Sequence, residues 1–145
     1  CPCGGGGLVG GTALALASES PQTKIYSVEP AGFDDTARSL AAGERLSNEP
    51  GATSFCDALL TPEPGELTFK INARLLAGGL RVSDDDVGEA MRVAFKYLKL
   101  VVEPGGAVAL AAVLSGQFEA KRKTVGVILS GGNVDGNVYR AALKG

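Results

Sequence analysis

Gly4, Gly5, Gly6 and Gly7 run without interruption into an apolar, alanine-rich stretch from Leu8 to Ser18, and no other feature constrains the fold as sharply. Four glycines remove the side chains that would hold a ligand off the backbone, and they admit positive φ. A helix opening directly behind them aims its N-terminal N–H groups and the positive end of its dipole at the same point. The arrangement predicts an anion cradle between Cys1-Pro2-Cys3, read as the last residues of a strand, and a helix over 8–18. A flexible linker would mix glycine with serine and would not run straight into an apolar helix.

The rest of the chain alternates strands and helices. Lys24 to Val28 reads as a short strand ending at Glu29-Pro30, and Asp34 and Asp35 as the cap of a helix reaching Ala42. A polar loop follows over 43–53, then a turn over Thr61-Pro62-Glu63-Pro64-Gly65. Leu67, Phe69, Ile71, Leu75 and Leu76 give residues 66–77 helical periodicity, which Gly78-Gly79 stops. A short strand over 80–82 leads to Ser83, a strong N-cap with three aspartates in the first turn behind it. That helix carries Val87, Met91, Ala94, Phe95 and Leu98, and another follows Glu103-Pro104-Gly105-Gly106 to Leu114. Thr124 to Leu129 is a continuous apolar run, as expected of a strand covered on both faces. The fold class expected is α/β, a largely parallel doubly wound sheet with flanking helices in one domain over residues 1–145.

Charge and composition remove several function classes. Fourteen Lys and Arg against sixteen Asp and Glu give a net charge of −2, which predicts no nucleic-acid partner. Lys121-Arg122-Lys123 is read as a solvated turn. No apolar run is long enough to span a bilayer. Three cysteines without a histidine fit neither a disulfide framework nor a zinc site, and a reduced, cytoplasmic protein is expected. Cys56 reads as a small buried residue. Without an initiator Met, and with most of the leading strand missing, the chain is expected to be the C-terminal piece of a longer protein.

Two readings fit the cradle. Gly5-Gly6-Gly7-Leu8-Val9-Gly10 satisfies G-x-G-x-x-G, with Glu29 about twenty residues on at the end of the next strand, as in a nicotinamide-dinucleotide site. Four consecutive glycines exceed what that turn requires, and Asp34 and Asp35 near Glu29 would repel a cofactor phosphate. The second reading is pyridoxal phosphate (PLP). Ser130-Gly131-Gly132-Asn133 sits at the carboxyl end of the final apolar run, where open α/β sheets bind ligands. A serine there can hydrogen-bond a pyridine nitrogen but cannot protonate it, which suits β-elimination better than transamination.

Five ordered segments carry a more specific signal: residues 1–8 (Cys-Pro-Cys-Gly-Gly-Gly-Gly-Leu), 26–30 (Tyr-Ser-Val-Glu-Pro), 61–69 (Thr-Pro-Glu-Pro-Gly-Glu-Leu-Thr-Phe), 98–107 (Leu-Lys-Leu-Val-Val-Glu-Pro-Gly-Gly-Ala) and 128–135 (Ile-Leu-Ser-Gly-Gly-Asn-Val-Asp). Together they resemble the C-terminal half of the threonine/serine dehydratase and serine racemase family of PLP fold type II. The resemblance implies that Gly4, Gly5, Gly6, Gly7 and Leu8 receive the cofactor phosphate, that Ser130 and Gly131 meet the ring, and that Glu103 lies beside it. It implies a divalent-cation site (Mg2+, Mn2+ or Ca2+) at Glu29, the Phe33 carbonyl and Asp35, a ligand set suited to a hard cation; helix capping by the aspartates is the competing reading.

The implied reaction converts L-threonine or L-serine to a 2-oxo acid and ammonia. Serine racemisation and 3-hydroxyaspartate dehydration remain open within the family, and a phosphate-binding fragment without catalysis remains open beside them. A homodimer or homotetramer is implied. Ala58 and Gly105 depart from the family, which often has Gly and Ser there. The lysine that holds the cofactor covalently and the substrate-carboxylate loop are expected upstream, because the lysines present sit in turns, on polar helix faces or at the terminus. The chain alone is expected to be inactive.

Overall fold

Two parallel strands, β1 (Tyr26–Pro30) and β2 (Gly78–Val82), pair in register from Tyr26 opposite Gly78 to Pro30 opposite Val82 in a computed structural model that describes residues 1–144. A parallel pair needs a crossover, supplied here by α2 (Asp35–Ala42) and α3 (Glu66–Leu75). Before β1 comes α1 (Gly7–Glu19); after β2 come α4 (Asp84–Val93), continued by a π-helical turn over Ala94–Leu98, then α5 (Pro104–Leu114) and α6 (Gly136–Lys144). Pro2 bridges Val28 in parallel, and Cys3 N–H donates to the Val28 carbonyl at 3.0 Å. The first residues therefore lie along the free edge of β1, as expected of a strand end.

Side chains alternate across a strand, and the two faces of this sheet differ in chemistry. Val28, Leu80 and Val82 join the hydrophobic core with Val87, Met91, Ala107 and Val108 from α4 and α5. Ser27, Gly79, Glu29 and Arg81 stand on the other face, against α2. A Cβ at Gly79 would come within 2.6 Å of Ala37 Cα, so the glycine sets how closely α2 approaches. With helices on both faces, the sheet is parallel and doubly covered, the architecture expected. Helix α5 is apolar all round and almost wholly buried, as a central helix should be. Ser83 and Asp86 form the reciprocal capping box anticipated for α4.

Three local expectations are corrected. No ladder forms over 124–129 among the described residues. A groove of about 640 Å³ is lined both by Ile25, Tyr26 and Val28 and by Thr124 to Ile128, and Val127 and Leu129 still pack on the core. Asp34 and Asp35 do not cap α2. The Glu29 carboxylate does, accepting from the Thr36 and Ala37 amides at 2.9 and 2.8 Å, while Asp34 pairs with Arg38 and Arg81. Helix α5 opens at Pro104 and includes Gly105 and Gly106 rather than following them. Helix α6 was not anticipated; Asp135 Oδ1 accepts from the Asn137 amide at 2.7 Å at its start, and Tyr139 packs edge-on against Phe95. No described helix is long and apolar enough to cross a membrane.

Candidate active site

The glycine run forms one wall of a cavity of about 240 Å³, lined by Gly4, Gly5, Gly6, Gly7 and Leu8 together with Ala58, Leu59, Glu103, Gly105 and Ser130. Segments far apart in sequence thus meet at one place: the loop before α1, the short 3-10 turn Asp57–Leu59, the start of α5 and the end of the 124–130 segment. Gly6 has φ +85°, the left-handed region, and precedes the first residue of α1. The carbonyls of Gly5 and Gly6 point at α3, where Thr68 Oγ1 donates to Gly5 O at 2.5 Å and Asn72 Nδ2 to Gly6 O at 3.3 Å. No protein acceptor among the described residues takes the amides of Gly4, Gly5, Gly6, Gly7 or Leu8. Five free N–H groups at a helix N-terminus, over open space, make an anion cradle.

Opposite the cradle, Glu103 is the N-cap residue of α5. Its Oε2 accepts from the Asn133 amide at 2.9 Å, and its own amide donates to Gly131 O at 3.0 Å. A Cβ at Gly131 would sit 2.6 Å from Glu103 Oε1. Gly131 therefore shapes the wall by making room for the Glu103 carboxylate rather than by lining the cavity itself. The departures Ala58 and Gly105 face each other: a Cβ at Gly105 would lie 3.4 Å from Ala58 Cβ and 3.1 Å from Leu59 Cγ.

The pyridoxal-phosphate-dependent enzyme family matches residues 1–131. This chain belongs to that family. It is 42% identical over 137 residues to a serine racemase of Dictyostelium discoideum, an alignment covering 92% of this chain and 42% of that protein. It is 41% identical over 144 residues to an L-threo-3-hydroxyaspartate ammonia-lyase of a Pseudomonas species, covering 98% and 44%. The solved T.th. threonine deaminase superposes with a TM-score of 0.86 at 42% identity, over 93% of this chain and 45% of that one. The chain thus spans less than half the length of the relatives it matches. Its structural neighbours are fold type II enzymes of the PLP family.

For a PLP-family chain the second locus of interest is the one around Glu29. Glu29 and Asp35 are both fully buried. Burial pushes the Glu29 carboxyl up to about 8; the α2 amides oppose the shift and the nearby Asp35 charge adds to it. Burial also raises Asp35, against the Asn48 amide that donates to its Oδ1 at 2.6 Å. Asp35 Oδ2 is buried with no hydrogen-bond partner. Two buried carboxylates, one with an orphaned oxygen, fit a hard cation. Among the described residues no three Asp, Glu, Cys or His side chains form a metal-holding group, so the set to be tested is two carboxylates and the Phe33 main-chain oxygen. The Glu29 carboxylate, which a dinucleotide reading would place on a ribose hydroxyl, is instead engaged by the Thr36 and Ala37 amides.

Thr68 and Asn72 were missed as site residues. Their signal was two polar residues four apart on an amphipathic helix directly behind a Pro-Gly turn, a spacing that puts both on one face.

Proposed function

We propose that this chain is the cofactor-binding part of a PLP-dependent dehydratase that converts L-threonine or L-serine to a 2-oxo acid and ammonia. The cradle carries the reading: free amides from Gly4 to Leu8 face a cavity that Ser130 and Glu103 close from the other side. These amides would hold the cofactor phosphate, Ser130 Oγ would hydrogen-bond the pyridine nitrogen, and Glu103 would border the ring. Bound PLP supplies an electron sink for the pair left at the substrate α-carbon. Ser130 is neutral and cannot protonate the ring nitrogen, which keeps that sink moderate and favours loss of a β-hydroxyl over transamination. Ala58 and Leu59 contribute an apolar side to the cavity and limit water there. Glu29, the Phe33 carbonyl and Asp35 would hold Mg2+, Mn2+ or Ca2+, whose charge would offset the two buried carboxylates. The lysine that holds the cofactor would lie upstream, and the assembly would be a homodimer or homotetramer.

The test uses the protein expressed from its complete reading frame. After PLP addition and borohydride reduction, a denatured intact mass should carry a phosphopyridoxyl adduct. L-Threonine and L-serine should then yield 2-oxo acid and ammonia. Adduct without 2-oxo acid, but with interconversion of L- and D-serine, would establish the second reading, a racemase, which the Dictyostelium relative supports. Turnover of 3-hydroxyaspartate in place of either would follow the ammonia-lyase relative. No adduct and no turnover would refute the enzymatic proposal and leave a phosphate-binding fragment. A melting temperature raised by a divalent cation in the parent, and not in Asp35→Asn, tests the cation site.

A further inference from the structure

Helix α3 grips the glycine loop by its carbonyls. Thr68 Oγ1 donates to Gly5 O at 2.5 Å and, more weakly, to Gly65 O at 3.1 Å. One turn on, Asn72 Nδ2 donates to Gly6 O at 3.3 Å, an oxygen that also accepts from the Gly10 amide at 3.0 Å. Space has been cleared for both side chains. A Cβ at Gly65 would lie 2.7 Å from Thr68 Oγ1, one at Gly6 would lie 2.7 Å from Asn72 Nδ2, and one at Gly10 would lie 2.9 Å from Asn72 Oδ1. Three glycines from two segments thus answer to the same two side chains. Asn72 is 1% exposed, so its amide exchanges no bonds with bulk water.

A trans peptide unit points its C=O and the following N–H in opposite directions. Holding Gly5 C=O against α3 turns the Gly6 amide away from α3, and holding Gly6 C=O does the same for the Gly7 amide. Both of those residues line the cavity, and neither amide has a protein acceptor among the described residues. Left unpinned, a four-glycine loop would sample many orientations, and binding an anion would carry the entropy of ordering it.

We infer that Thr68 and Asn72 are positioning residues of the phosphate cradle: they fix the Gly5 and Gly6 carbonyls so that the next two amides are aimed at the phosphate before it arrives. The inference rests on the proposed PLP reading of the cavity and adds to it the residues that preorganise the loop. They touch neither the cofactor nor the substrate. Their effect falls on the phosphate and not on the ring.

The test compares PLP with pyridoxal, which lacks the phosphate, by absorbance titration of the protein expressed from its complete reading frame. Thr68→Val keeps the shape and removes the hydroxyl; it should weaken PLP about 5- to 10-fold and leave pyridoxal affinity unchanged. Thr68→Ser restores the donor and should bind PLP within about twofold of the parent. Asn72→Ala should repeat the Thr68→Val pattern. Equal losses for PLP and pyridoxal, or none for either, would overturn the inference by showing a general structural role or no role. Where Thr68→Val does not fold, Thr68→Ala takes its place, and failure of both to fold marks Thr68 as a scaffold residue and overturns it likewise. A parent that binds pyridoxal as tightly as PLP would sink the phosphate reading itself, whereas a parent that prefers PLP with indifferent variants would sink only the positioning role.

Discussion

Replacing Gly131 with alanine should perturb the site wall through one contact. The new Cβ would stand 2.6 Å from Glu103 Oε1, 2.8 Å from its Cδ and 3.1 Å from Oε2. The carboxylate cannot yield by a small swing, because Oε2 is held by the Asn133 amide at 2.9 Å and the Glu103 amide by Gly131 O at 3.0 Å. Relief requires giving up at least the first of these. A hydrogen bond to a charged group contributes about 1.5–3 kcal/mol; Asn133 is exposed, so water recovers part of it and roughly 1–2 kcal/mol remains. For a chain of this size each kcal/mol moves the melting temperature by about 2–4 °C, giving a fall of roughly 2–8 °C. The assay is thermal melting by circular dichroism, with Gly136→Ala as the control. Gly136 opens α6, and a Cβ there meets nothing within 4 Å, so it should melt like the parent or slightly above. Gly131→Ala and Gly136→Ala melting together, with PLP affinity unchanged, would refute the claim that Gly131 is a glycine because of Glu103.

Burial pushes the thiols of Cys3 and Cys56 up to about 12. Both should therefore resist a thiol reagent at pH 8 in the native state and react fully in denaturant; fast native reaction of either would refute their placement in the core. The same shifts make these thiols stabilising below pH 9, with that contribution lost as pH rises through 9 towards 12, so alkaline melting should weaken when Cys56 is replaced by alanine. Asp86→Ala removes half of the α4 capping box and should cost about 0.5–2 kcal/mol in chemical denaturation, whereas Asp85→Ala, with no such bond, should not. Asn48→Ala removes donors to Asp35 Oδ1 and Thr61 O and the acceptor for Arg38; a loss of about 2–4 kcal/mol is expected, and a parent-like denaturation midpoint would refute it.

Much of this architecture was legible because it rests on local rules. The glycine run before an apolar helix, the Ser83 cap and the all-apolar segment after Glu103 each specify their conformation within a few residues, and each forms a helix or cap as expected, the last starting two glycines earlier. Other features depend on partners far along the chain. Asp34 and Asp35 match a cap pattern, yet a buried glutamate at the end of β1 already occupies the α2 amides, a competition that no local window reveals. Residues 124–129 have strand composition, but a strand exists only beside a neighbour, and here this segment lines a groove with β1 rather than pairing with it. Thr68 and Asn72 look like two polar positions on an ordinary amphipathic helix until the loop they hold is placed against them. The residues expected around the cofactor were gathered from three segments by motif, while the fourth wall at 57–59 and the residues that hold these segments in place needed the structure.

The polar loop between α2 and α3 shows why the two loci should not be treated as separate accessories. Asn48 donates through one nitrogen to Asp35 Oδ1 at 2.6 Å and to Thr61 O at 2.8 Å, while its Oδ1 accepts from Arg38 at 2.7 Å. Its own amide donates to Pro62 O at 2.8 Å. Thr61 in turn packs on the glycine run, with its methyl 4.0 Å from where a Gly5 Cβ would lie. On the other side, Cys3 Sγ, one residue before the run, contacts Thr36 Oγ1 at 3.4 Å, and the Thr36 amide is one of the two held by Glu29. The buried carboxylates are thus linked to the start of the glycine loop, Asp35 to Gly5 through Asn48 and Thr61, and Glu29 to Cys3 through Thr36. A change of charge at Glu29 or Asp35 would act on groups that adjoin the start of the cradle, whereas the Gly5 and Gly6 carbonyls themselves are held by Thr68 and Asn72.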